Sequence, residues 1–119
     1  MKEISLEKVK EVNENIISEV VRRILGVVNP EKVILFGSYA YGKPTKDSDL
    51  DILIIMDSKL PRYKRSSLIY KALAGILIPK DIIVYTPKEV EEWSDVPQAF
   101  VTTAVTKGKV IYEKSKMEG

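Results

Sequence analysis

The sequence predicts an α+β fold, a small mixed β-sheet flanked by helices, from three observations. Apolar residues recur at helical spacing before residue 30: Val9, Val12, Ile16, Ile17, Val20, Ile24 and Leu25. Four short β-rich runs follow, at Lys32 to Phe36, Leu50 to Met56, Lys80 to Tyr85 and Lys109 to Glu113. Helix-compatible segments lie between them, with no internal repeat, linker or low-complexity stretch.

Taken in order, Ser5 is a suitable cap for a first helix that runs to about Val28, where Asn29-Pro30 stops it. Lys32 to Phe36 is short and apolar, so it reads as a buried strand. Gly37-Ser38 then lets the chain turn into a short helical segment near Tyr39 to Tyr41. A loop of turn formers, Gly42 to Ser48, leads to the second strand, Leu50 to Met56. Pro61 is placed to open a second helix through about Gly75, with Tyr63, Leu68, Ile69, Ala72 and Leu73 turned inward. Lys80 to Tyr85 is the third strand. Pro87 to Trp93 reads as a short helix whose Glu89, Glu91 and Glu92 form a solvated face, and Pro97 to Lys107 as a last helix stopped by Gly108. Lys109 to Glu113 is a short closing strand before a polar tail. Trp93 and Phe100 are expected as core or interface anchors.

Length and composition narrow the chemistry. At 119 residues the chain is expected to be one domain, 1–119, with room for a core but none for separate substrate modules. Nineteen basic against 17 acidic residues leave a net charge of +2, too small to argue for nucleic acid. With no Cys and no His, neither thiolate nor imidazole chemistry is available. Carboxylates must do the work, and oxygen ligands favour hard cations such as Mg²⁺ or Mn²⁺. The amino terminus shows no signal-peptide core and no apolar run reaches membrane-spanning length, so a cytoplasmic protein is expected.

One stretch concentrates the functional signal: Gly37-Ser38, then Asp49-Leu50-Asp51 after a spacer of turn-forming residues. Strand alternation turns Asp49 and Asp51 to one face, roughly 6.6 Å apart at two rises of about 3.3 Å, and puts Leu50, Ile52, Ile54 and Met56 on the other. Like charges so close favour a cation between them. Asp81, at the edge of the third apolar run, is the candidate for a third carboxylate. Gly37 leaves room for a backbone approach to phosphate, so Val there is expected to obstruct a triphosphate while sparing the core. Asp47 reads as a loop cap, and Lys43 and Lys46 as solvated loop lysines. Tyr39 and Tyr41 fit either stacking or packing.

Gly-Ser followed by about ten residues and Asp-x-Asp resembles the signature of the DNA polymerase beta-like nucleotidyltransferase superfamily. So small a chain resembles its minimal nucleotidyltransferase (MNT) branch, with the similarity covering Lys32 to Tyr85. The family commonly reads Gly-Ser-x-Ala-Arg-Gly, whereas Tyr41 stands here in place of that Arg, so its phosphate contact is not carried over. The resemblance implies two Mg²⁺ ions, or Mn²⁺, at Asp49, Asp51 and Asp81. It implies ATP as substrate, gripped through its outer phosphates by Gly37 and Ser38. It further implies an antitoxin that works beside a HEPN-domain toxin by placing AMP on a hydroxyl, tyrosine foremost. Two alternatives stay open: a binding module that neutralises a toxin by occlusion, and a nucleic-acid-modifying nucleotidyltransferase. The oligomeric state is open too.

Overall fold

A four-stranded mixed sheet with the order β3-β2-β1-β4 organises the chain. The computed structural model describes residues 14–41 and 49–114. The expected helix before residue 14, with Val9 and Val12, lies outside the described residues. So do Lys43, Lys46 and Asp47 of the Gly42 to Ser48 loop, and the tail after residue 114. Ser38 and Tyr41 enter by their backbone alone.

The strands are β1 (Lys32–Phe36), β2 (Leu50–Ile55), β3 (Lys80–Tyr85) and β4 (Lys109–Glu113), and the helices are α1 (Glu14–Leu25), α2 (Ser38–Tyr41), α3 (Arg62–Arg65), α4 (Ser67–Ala72), α5 (Pro87–Trp93) and α6 (Phe100–Lys107). β1 runs antiparallel to both β2 and β4. β2 and β3 are parallel, so the chain between them must cross over, and α3 and α4 make that crossover.

Alternation divides the sheet into two buried faces. Val33, Leu35, Leu50, Ile52, Ile54, Ile82 and Val84 pack on one side against Ile16, Val20 and Ile24 of α1 and Ile69 of α4. Ile34, Phe36, Leu53 and Ile55 pack on the other against Val101 and Ala104 of α6. Because β2 is covered on both sides it is apolar almost throughout, and Asp51 is its one charge. Each fully buried Ile or Leu contributes roughly 1.5–3 kcal/mol, so a charge in β2 is tolerable only at its open end.

The crossover departs from the single helix expected between Pro61 and Gly75. It breaks at Ser66, and the break shifts the helical phase: Ile69 and Leu73 are buried, whereas Tyr63 is 78% and Leu68 49% exposed. A polar clamp, not an apolar stripe, fixes α3. The Arg65 guanidinium, 8% exposed, donates through Nε to the Leu60 carbonyl at 2.8 Å, and through Nη1 to the Val84 carbonyl at 3.3 Å and Glu89 Oε1 at 2.6 Å. With Tyr70 Oη accepting from the Ile82 N–H at 2.9 Å, two side chains thus bond the backbone of the edge strand β3, a guard against edge-to-edge pairing.

Glu89 is therefore part of a joint rather than of a solvated face, while Glu91 and Glu92 are exposed as expected. It also closes a capping box, its Oε1 accepting from the Thr86 N–H at 2.9 Å and its own N–H donating to Thr86 Oγ1 at 3.2 Å. Hydrogen bonding from Arg65 holds the Glu89 carboxyl at about 2, below its ordinary 4.5. That stabilisation is complete above 4.5 and is lost as the pH falls towards 2. Arg65→Ala is expected to cost about 2–3 kcal/mol at pH 7, with the gap to the unmutated chain closing between 4.5 and 2 in urea titrations. Arg22→Ala, which removes the exposed Glu19 pair of α1, is expected to leave the midpoint unchanged.

The last helix begins at Phe100 instead of Pro97, whose segment forms a turn closed by the Ala99 N–H on the Val96 carbonyl at 3.0 Å. Of the two places expected for Trp93 and Phe100, core or interface, the core is excluded: they are 44% and 42% exposed, because Val101 and Ala104 already seat α6. Among the described residues no helix is long and apolar enough to cross a membrane.

Candidate active site

The end of β1 and the starts of β2 and β3 meet at one corner of the sheet. Phe36 lies opposite Asp51, and Asp51 lies opposite Asp81. In-register partners share a face, so Asp51 and Asp81 project the same way from strands about 4.8 Å apart, and Asp49 shares that face by alternation. The face opposite carries Leu50, Ile52 and Ile54, with Met56 packed against the same core, as the alternation predicts.

Asp49 and Asp81 are exposed, whereas Asp51 is half-buried. Burial raises the Asp51 carboxyl above the ordinary 3.8, and the negative charges of Asp81 and Asp49 raise it further. The three carboxylates thus concentrate negative charge at this corner.

Gly37 supplies the other side of the corner. It has φ +75°, a conformation that favours glycine, and its carbonyl accepts the Ala40 N–H at 3.0 Å as α2 begins. A methyl group built on Gly37 would collide with Oδ2 of Asp51 and stand 3.2 Å from its Cγ. A Val at this position, expected to obstruct a triphosphate while sparing the core, meets the Asp51 carboxylate as well.

Among the described residues no three Asp, Glu, His or Cys side chains stand together closely enough to hold a metal ion. The donor set still fits a hard divalent cation in its chemistry. All three donors are carboxylates, the half-buried one is penalised by the charge of the other two, and those two stand on exposed side chains.

The structure adds an aromatic wall that sequence reasoning left out. Phe100 packs edge-on against Phe36 with centroids 5.1 Å apart and lies tilted 6.5 Å from Tyr85, which carries the Arg62 guanidinium 4.7 Å from its ring centre. No local pattern announces this wall, since it depends on where α6 crosses the sheet.

Comparison with known proteins places the chain in a family. Residues 14–117 match the family described as Polymerase beta, Nucleotidyltransferase. A Methanocaldococcus jannaschii chain that bears the name protein adenylyltransferase MJ0141 is 37% identical over 54 residues, 45% of this chain and 54% of that one, so this chain spans about half the length of that relative. Three solved structures share the fold. A toxin-antitoxin crystallised with AMP-PNP has a TM-score of 0.60 at 21% identity, over 86% of this chain and 77% of its own. A protein named as a nucleotidyltransferase from Sulfolobus solfataricus has a TM-score of 0.61 at 20% identity, over 97% and 93%. A mutant of the toxin-antitoxin MntA-HpeT has a TM-score of 0.57 at 19% identity, over 90% and 78%. With a family match over residues 14–117, most of its length, the chain belongs to the polymerase beta nucleotidyltransferase family.

Proposed function

We propose that this chain transfers AMP from ATP to a tyrosine hydroxyl of a partner protein, the HEPN-domain toxin of a HEPN/MNT toxin-antitoxin pair. The observation that carries the reading is the placement of the strand partners Asp51 and Asp81, with Asp49 two residues before Asp51, beside the Gly37 turn. The acceptor oxygen bonds to the α-phosphorus of ATP as the bond from that phosphorus to the bridging oxygen breaks, and pyrophosphate leaves with the electron pair. The hydroxyl proton passes to a neighbouring carboxylate, with Asp81, exposed at the strand edge, placed to accept it. Gly37 and the backbone N–H groups at the start of α2 hold the outer phosphates. Asp49, Asp51 and Asp81 are the residues that would hold Mg²⁺ or Mn²⁺, which when bound would supply charge neutralisation at the phosphates. The name of the M. jannaschii relative favours a protein acceptor, and the neighbour crystallised with AMP-PNP favours an adenine nucleotide and a toxin partner.

Tyr41 in place of the family's Arg favours a second reading, neutralisation by occlusion alone. Incubation with ATP, Mg²⁺ and the protein encoded beside this chain separates the two. The transfer reading expects one AMP mass on a tyrosine of that protein. An unmodified partner, fully neutralised by a chain carrying both Asp49→Asn and Asp51→Asn, would establish occlusion.

A further inference from the structure

We infer that the chain forms a two-fold dimer through the adjoining faces of α3 and α5, the basic face of each copy lying over the acidic face of the other. This goes beyond the transfer reaction and does not depend on it.

The two faces carry opposite charge. Residues 57–64 hold three cations, Lys59, Arg62 and Lys64, against one carboxylate, Asp57. Residues 87–95, Glu89 apart, hold three carboxylates, Glu91, Glu92 and Asp95, against one cation, Lys88. All of these side chains are exposed, and none has an ion-pair partner among the described residues.

Contacts within the chain set the faces side by side. The Arg65 guanidinium of α3 binds Glu89 of α5 at 2.6 Å, and that of Arg62 stands 4.7 Å from the ring centre of Tyr85, two residues before α5 begins. Glu92 and Trp93 follow Glu89 by three and four residues and so share its side of the helix. A surface whose positive and negative halves adjoin is self-complementary about a two-fold axis between them, because each half then meets its opposite on the second copy.

Solvation accounts for the charges by themselves, since charged helix faces ordinarily point to water. It does not account for the large apolar groups set among them. Tyr63 is 78%, Leu60 52% and Trp93 44% exposed, and neither α3 nor α5 has a buried residue. The Arg65–Glu89 joint thus fixes two helices that hold a tyrosine and a tryptophan out to solvent, the side chains that supply most binding energy at protein interfaces. α3 follows the end of β2 and α5 the end of β3, whereas Asp51 and Asp81 stand at the starts of those strands. The four steps from Asp51 to Ile55 span about 13 Å, so the dimer leaves both carboxylate corners open.

Sedimentation velocity of the full chain over a concentration series, read together with the emission of its single tryptophan, tests this. Helices of 4 and 7 residues a side make a small interface, so a reversible micromolar dimer is expected, with Trp93 emission moving to the blue in step with the mass. Lys59→Glu with Lys64→Glu makes both faces acidic, and Glu92→Lys with Asp95→Lys makes both basic. Each of these variants alone is expected to dimerise roughly a hundredfold more weakly, because like charges then face each other. An equal mixture of the two is expected to recover the dimer, since both contacts are complementary again. A chain that is monomeric at every concentration would overturn the dimer. If Trp93 emission then shifts only on adding the protein encoded beside this chain, the faces belong to that protein. A dimer that survives both reversals, or forms without a shift in Trp93 emission, would place the interface elsewhere. Reversal variants that melt like the unmutated chain yet stay monomeric when mixed would remove the charge complementarity on which the dimer rests.

Discussion

Asp51→Asn is expected to abolish AMP transfer and, in metal-free buffer, to raise the melting temperature. Both effects come from one position. Asp51 is the half-buried carboxylate, its strand partner is Asp81, and its ionised form is disfavoured first by burial and then by Asp81 and Asp49. An acid whose carboxyl is raised in the fold destabilises the fold once ionised. The neutral amide removes that cost, so the variant gains most at pH 7. The gain shrinks as the pH falls through the raised value and vanishes below the ordinary 3.8, where Asp51 is protonated folded or unfolded. Catalysis moves the other way. The amide cannot neutralise a cation or draw one to the phosphates, and loss of such charge stabilisation is expected to slow transfer about a thousandfold or more, about 4 kcal/mol. A thermal melt across pH 4–8, with and without Mg²⁺, checks the first effect and single-turnover transfer the second. Added Mg²⁺ is expected to raise the melting temperature of the unmutated chain and not of the variant. A variant that melts lower in metal-free buffer at pH 7 would show that the cluster is already neutralised by other means.

The residues behind this prediction were largely legible in the sequence. Three strands fall where the apolar runs do, at Lys32–Phe36, Lys80–Tyr85 and Lys109–Glu113, because Asn29-Pro30, Gly37, Pro79, Thr86-Pro87 and Gly108 bound them sharply. Asp49 and Asp51 share a face because alternation is local. What stayed hidden is tertiary. The pairing of Asp51 with Asp81 depends on a parallel register between strands about 30 residues apart, and nothing in β4 announces that it pairs with β1. Tyr63 and Leu68 read as inward-facing because a helix through Ser66 would have kept its phase. The Arg65 joint to Leu60, Val84 and Glu89 holds α3 where the broken helix leaves it, and a buried guanidinium gives no periodic signal. Phe100 has the same explanation: its exposure depends on Val101 and Ala104 seating α6 first.

Gly37→Val is the substitution expected to do most damage to the fold and the site together. Two independent constraints act there. The φ of +75° costs any residue with a Cβ, and a β-branched one most, so backbone strain of about 1–3 kcal/mol is expected. The added Cβ also meets Oδ2 of Asp51, which must turn away from the face it shares with Asp81. At roughly 4–8 °C per kcal/mol for a domain of this size, the melting temperature is expected to fall by about 10 °C or more. Transfer is expected to fall with it even at temperatures where the variant is folded. The two constraints separate in a double-mutant cycle with Asp51→Ala, which removes the carboxylate but leaves the turn. If the collision contributes, Gly37→Val costs less in the Asp51→Ala background, and the remaining loss measures the strain of the turn. If the cost is equal in both backgrounds, Asp51 yields without penalty and the glycine is required for its backbone alone. A Gly37→Val chain that melts like the unmutated one would contradict the left-handed turn, and with it the placement of Asp51 against Gly37 from which the geometry of the site was built.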